Sequence, residues 1–188
     1  MMKPLLFAAA ALAATPALAG PADDALFGEN SGTDRALACF VRHYDTAHLG
    51  SHPQQNVTDM AVLVDRPEAS EGDVWYTISI GVNFRKVKDQ FQVQGGCSAL
   101  DDGSKLLGCG VDCDGGQIDV RPRDANSILV DIPFGARTWN PSAIDGVDPP
   151  EAAFGEDDKV FRLDRAALSQ CLSLVYDDDL KAQFTAAQ

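Results

Sequence analysis

Through the middle of the chain, apolar and polar residues alternate one for one. Val74, Tyr76, Ile78, Ile80, Val82 and Phe84 are separated by Trp75, Thr77, Ser79, Gly81 and Asn83. A period of two places one set on each side of a strand. One face here is wholly apolar and the other mixed, as in an antiparallel sheet with a single buried face. The turn Arg66–Gly72 precedes this strand and the polar turn Arg85–Asp89 follows it. Further strands are predicted at Met60–Val64, around Phe91 and Val93, over Gln117–Arg121, at Ile128, Val130, Ile132 and Phe134, and over Lys159–Leu163. Asp101-Asp102-Gly103-Ser104 predicts a hairpin turn, since Asp-Gly suits the two central positions of a type I′ turn. Gly115-Gly116 predicts another corner.

At the two ends the period lengthens. Leu37, Phe40, Val41, Tyr44 and His48 recur at spacings of three and four, which predicts a helix capped by Thr33 or Asp34 and stopped by Gly50 and Pro53. Leu168, Cys171, Leu172 and Val175 predict a last helix capped by Asp164. The expected fold is mainly β: an antiparallel sandwich or incomplete barrel of about seven strands with a short helix at each end. Residues 20–32, rich in Gly, Pro, Asp and Asn, are expected to form a loose arm. Residues 140–158 carry six acids and no base, and are expected to form a poorly ordered acidic loop.

Residues 1–19 have the make-up of a signal peptide: Lys3, then the short apolar run Leu5–Ala14, then small residues at Ala17 and Ala19. The run is too short for a membrane span and is broken by Pro16. Residues 20–188 then suit one domain. Loss of residues 1–19 removes a single base, Lys3, and leaves 14 bases against 28 acids, a net charge of −14. That charge repels nucleic acid and anionic membrane, and permits a cationic protein or a small molecule as partner.

An exported chain oxidises its cysteines, and five is an odd number. Cys39 and Cys171 are expected to join, clamping the terminal helices. A second bridge joins two of Cys97, Cys109 and Cys113. A two-residue turn at Asp102-Gly103 sets Cys97 opposite Gly108, with Cys109 facing away, whereas a bulge at Gly108 or Gly110 lets Cys97 meet Cys109. The turn alone leaves the choice open; Cys97–Cys109 is favoured.

Two segments carry candidate chemistry. His43, His48 and His52 are the chain's three histidines, with Tyr44 and Asp45 among them. Imidazoles suggest a metal, but Gly50 and Pro53 break the helical face that His48 and His52 would share, and no HExxH occurs. Asp112 and Asp114 form an acidic glycine-rich corner with Asp119. It departs from the calcium-loop pattern at Gly116 and Gln117 and has no Glu at the twelfth position. No nucleophile elbow, P-loop or dinucleotide fingerprint is present. No catalytic residue, metal ligand set or cofactor is therefore assigned, and Tyr44, Asp45, His48, His52, Asp112 and Asp114 are taken as a candidate polar site.

Two phrases, Tyr44-Asp-Thr-Ala-His48-Leu-Gly-Ser-His52-Pro53 and Cys109-Gly-Val-Asp-Cys113-Asp-Gly-Gly116, resemble those of an exported protein family of Gram-negative, mainly alphaproteobacterial, genomes. The resemblance implies a periplasmic location and no particular activity. Three function classes follow: a binding module for a small molecule or protein, which the absence of catalytic motifs favours; a metal protein or enzyme centred on His43, His48 and His52; and a structural envelope protein.

Overall fold

The computed structural model describes residues 20–68, 75–100, 106–143 and 149–186. The signal peptide expected at 1–19 lies outside the described residues, as does the predicted hairpin turn Asp101–Ser104.

Eight strands form one closed antiparallel barrel: β1 (Ala36–His43), β2 (Val57–Arg66), β3 (Tyr76–Phe84), β4 (Phe91–Ala99), β5 (Leu107–Val111), β6 (Gln117–Asp124), β7 (Ser127–Asp131) and β8 (Val160–Ala166). Each strand pairs with the next, and β8 closes on β1 through Cys39↔Ala166 to Val41↔Asp164. The mainly β character is as expected. The sheet, however, is neither a sandwich nor an incomplete barrel of seven strands. The eighth strand is β1, in the segment expected to be a helix. Ala36, Ala38 and Phe40 point into the barrel and join the main core. Cys39, Leu37 and Val41 point outward and pack under the C-terminal segment. A strand buried on both faces loses its alternation, and its apolar residues then happen to match helical spacing.

The interior is filled by side chains. Phe40, Met60, Ile78, Phe91, Phe161 and Leu163 are among those fully buried. Eight strands enclose just enough space for such packing. Among the described residues, closure leaves no strand edge exposed.

One end is sealed by the stretch expected to be a loose arm. It forms α1 (Pro21–Phe27), with Pro21 in its first turn and Asp23 accepting from the Gly20 N–H at 3.1 Å. Leu26 and Phe27 enter the core, and the Phe27 ring stacks on Tyr76. Buried Asp23 accepts from the Tyr76 hydroxyl at 3.1 Å and pairs with Arg66 at 3.0 Å. Burial, with the Asp23 charge second, pushes the Tyr76 phenol up to about 12. Arg165 donates to the carbonyls of Ala25 and Leu26 at the helix C-terminus.

The other end is sealed by the β1–β2 connection, which contains α2 (Thr46–Ser51), and by the long β7–β8 connection. Of the acidic loop expected to be poorly ordered, 144–148 lie outside the described residues, while 149–158 pack against β2. The fully buried Asp158 carboxylate accepts from the N–H groups of Gly155 (2.7 Å), Asn56 (2.8 Å) and Val57 (3.2 Å). Burial raises the Asp158 pKa, and these three donors oppose the rise. Gly155 is required here, because a Cβ would lie 2.0 Å from the Gln54 carbonyl oxygen. Phe154 meets Phe84 and Phe161 edge-on and closes the core.

After β8 comes a 3-10 helix, Leu168–Leu174, then α3 (Asp178–Ala186). The last helix expected to start at Asp164 is therefore displaced: Asp164 lies within β8. A disulfide joins Cys171 to Cys39 and holds this C-terminal strap on the outer wall. The bridge thus ties a strand to a 3-10 turn instead of two helices. A small outer core of Leu63, Leu174, Val175 and Leu180 surrounds it.

The second disulfide joins Cys97 and Cys109, which lie directly opposite each other on β4 and β5. Leu100 N–H bonds to the Leu106 carbonyl in the same register. Cys97 faces Cys109 directly, with no bulge at Gly108 or Gly110. Cys113 is a free, exposed thiol at the far end of β5.

Candidate functional site on the outer wall

The candidate polar residues do not assemble into one site. Tyr44, His48 and His52 form a stacked ladder with ring centroids 4.7 and 4.3 Å apart. Asp45 is the N-cap of α2, accepting from the His48 N–H at 2.7 Å. His48 Nε2 lies 3.0 Å from Gln55 Oε1, and His52 Nδ1 lies 3.0 Å from the His48 carbonyl. His43 Nδ1 lies 2.5 Å from Asp59 on the wall outside the ladder. The three imidazoles thus serve three local contacts, and no three potential metal ligands cluster among the described residues. Burial raises the Tyr44 phenol pKa, with Arg42 opposing it.

Asp112 and Asp114 sit in the β5–β6 turn, where Cys113 and Asp114 take positive φ of 57° and 55°. The corner expected at Gly115-Gly116 is therefore centred two residues earlier. The histidine ladder and this turn share one barrel end, but strand order places them on opposite seams. The β7–β8 connection meets both, through Arg137 N–H to Gly115 O (2.7 Å) and through Asn56 to the carbonyls of Glu151 and Ala153 (2.7 Å each).

A cleft of about 430 Å³ lies elsewhere, between the outer face of β2–β4 and the strap. Its floor is built from Leu63 and Asp65 of β2, Thr77 and Ser79 of β3, and Gln94 of β4. Alternation makes these the outward residues of strands whose other face is core. Val175, Tyr176 and Asp177 of the strap form the opposite wall, Trp75 and Arg35 one end, and Asp112 the acidic corner. Of the candidate polar residues, only Asp112 belongs to this cleft.

Neighbouring contacts hold its side chains in place. Trp139 exchanges two backbone hydrogen bonds with Gln92 of β4, at 2.8 and 2.9 Å, and stacks on Tyr176. Partial burial raises the Tyr176 phenol pKa. Arg35 donates from Nε and Nη2 to both oxygens of Asp65, at 3.1 and 2.6 Å. That hydrogen-bonded pair raises the Arg35 pKa, with Asp177 adding to it. Asp177 accepts from the N–H groups of Asp179 and Leu180 and caps α3.

The described lining offers carboxylates, amides, hydroxyls and two aromatic faces, with no imidazole, thiol or lysine. That set suits recognition better than proton transfer or nucleophilic attack. A smaller hollow of about 210 Å³, beside Arg42, His43, Asp59 and Gln170, lies on the other flank of the 3-10 helix.

Reading residue types for chemistry missed this cleft, yet the sequence held a signal. Tyr76–Phe84 and Phe91–Ala99 contain no charged residue in a chain that is 23% charged. An outward face without charge is a face that something covers.

Compared with known proteins, the chain matches no protein-family model, no curated protein and no solved structure. The fold and site define its class on their own: a closed eight-stranded up-and-down barrel with a filled interior and a strapped outer wall. No helix among the described residues is long and apolar enough to cross a membrane.

Proposed function

We propose that this protein is an exported, non-enzymatic binding module that holds its ligand outside the barrel, in the cleft between β2–β4 and the strap. The observation that carries the reading is the contrast between a filled interior and an open cleft bearing the half-exposed rings of Trp75 and Tyr176. A barrel packed with Phe40, Phe91 and Phe161 has no room for an internal ligand, while exposed aromatics beside polar groups are how binding surfaces gain area and orientation. Export is supported by the leader-like residues 1–19 and by two disulfides, which persist in oxidising compartments. The test is an amide and indole NMR screen of the oxidised protein against a library of small polar molecules and short peptides. Shifts clustering at Trp75, Thr77, Gln94 and Tyr176 are expected. Hits that map only to other surfaces would refute the reading.

The filled interior also favours a second reading, a structural envelope protein with no small ligand. It predicts that no library member moves the cleft resonances and that crosslinking in cells captures a fixed envelope neighbour through this wall.

A further inference from the structure

We infer that the cleft takes an organic cation, an alkylammonium or guanidinium group carried on an apolar stem; this rests on the reading of the cleft as the ligand site. Three carboxylates line it, Asp65, Asp112 and Asp177, against one cation, Arg35. Arg35 is already charge-paired with Asp65 through two hydrogen bonds. Asp177 accepts two backbone N–H bonds, donors that bring no compensating cation. The exposed Asp112 carboxylate has no partner among the described residues. The lining therefore carries two negative charges in excess, within a chain of net charge −13.

Trp75 and Tyr176, 47% and 48% exposed, line the same cleft as this charge. A cation is drawn to such faces by their quadrupole as well as to the carboxylates. Leu63, Val175 and Leu180 also line the cleft and offer apolar surface for a short alkyl stem. An anion would meet three carboxylates with no free base to answer it. A neutral apolar ligand would cover those carboxylates without pairing them, which is costly. Size agrees: a cleft of about 430 Å³ holds a drug-sized molecule or two to three residues of a peptide.

The experiment titrates the full oxidised protein with four probes, followed by NMR and calorimetry. They are n-butylguanidinium, the peptide acetyl-Gly-Arg-Gly-amide, N-acetylglutamate and N-acetyl-leucinamide. Both cationic probes are expected to shift Trp75, Thr77 and Gln94, with affinity falling as salt rises. Tighter binding of the peptide identifies a basic side chain of a protein as the natural ligand, and tighter binding of butylguanidinium a free small cation. Asp112→Asn should weaken binding about threefold, and Trp75→Ala about fivefold. Asp114→Asn removes the same charge from the same turn but from outside the lining, and should leave affinity unchanged. Equal weakening by Asp112→Asn and Asp114→Asn would overturn the inference, since a diffuse field and not the cleft would then hold the cation. Cleft shifts from the anionic or neutral probe alone would overturn the cation and leave the site. No cleft shift from any probe would overturn both.

Discussion

On the outer face of β6, β7 and β8, opposite charges meet across and along the strands. Arg121 of β6 pairs with Asp131 of β7, Arg162 with Asp164 along β8, and Arg42 of β1 reaches Asp164 at 3.3 Å. On the outer face of β3 and β4, the corresponding positions are Thr77, Ser79, Asn83, Gln92 and Gln94. Both walls belong to the same closed sheet and present equally apolar residues to the same core. They differ in what lies over them: water on one side, the Leu168–Ala186 strap on the other. A wall facing water keeps its charges solvated and loosely paired. A wall facing protein must shed them, because burying an unpaired charge is far costlier than burying a hydroxyl or amide that finds a partner. The cleft lies where the strap stops short of full contact.

The largest expected effect breaks this difference outright. Replacing both Cys39 and Cys171 by Ser releases the strap from a bridge spanning 132 residues. The chain-entropy estimate for so long a loop is about 4 to 5 kcal/mol, against about 3 for the 12-residue Cys97–Cys109 span. Denaturant midpoints of the two double variants should rank in that order. The reverse order would show that packing alone holds the strap.

Truncation of equivalent outward residues sharpens the contrast. Leu63→Ala, under the strap, should cost about 2 to 3 kcal/mol. Val160→Ala, 51% exposed at the open wall, should cost no more than about 0.5 kcal/mol. Similar losses from thermal denaturation would erase the distinction between the walls.

A smaller effect separates inside from outside at alkaline pH. The Tyr76 phenol is raised to about 12 in the fold and titrates near its ordinary 10 once unfolded. Between those values the unfolded chain has lost the proton that the folded chain keeps. Stability should therefore fall as pH rises from 10 toward 12. Tyr76→Phe should flatten that fall, and ultraviolet titration should show one tyrosine ionising last. An unchanged slope in the variant would contradict the buried Asp23–Tyr76 contact.

The smallest effect lies on the open wall. Arg121→Ala should cost about 0.5 kcal/mol and lose even that at high salt. A salt-independent loss would mark the Arg121–Asp131 pair as structural.

Most of the barrel was legible in the sequence, because β3, β4, β6 and β7 alternate with a buried side and a less buried side. Three segments misled for one reason, which is contact with distant parts of the chain. β1 is apolar on both faces because the strap covers its outer side. Pro21–Phe27 looks like a mobile arm until Tyr76, Arg66 and Arg165 give Asp23 and the helix carbonyls their partners. The predicted helix from Asp164 is strand up to Ala166 because β1 and β7 supply its hydrogen bonds. The site was less legible. Histidines and aspartates near one another in sequence suggested chemistry, but Asp45 proved to be a cap and the imidazoles found local partners.

By itself, then, the order of residues determined the β character, the approximate number of strands and the inward set of apolar side chains, since these follow from a two-residue period that any extended segment obeys. Closure of the barrel, the seal made by α1 and the cleft under the strap were decided only by tertiary structure. Each depends on residues more than 20 apart meeting, Arg35 with Asp65 and Asp158 with Asn56 among them. No local pattern encodes such meetings, because their free energy appears only when the whole sheet has curled on itself.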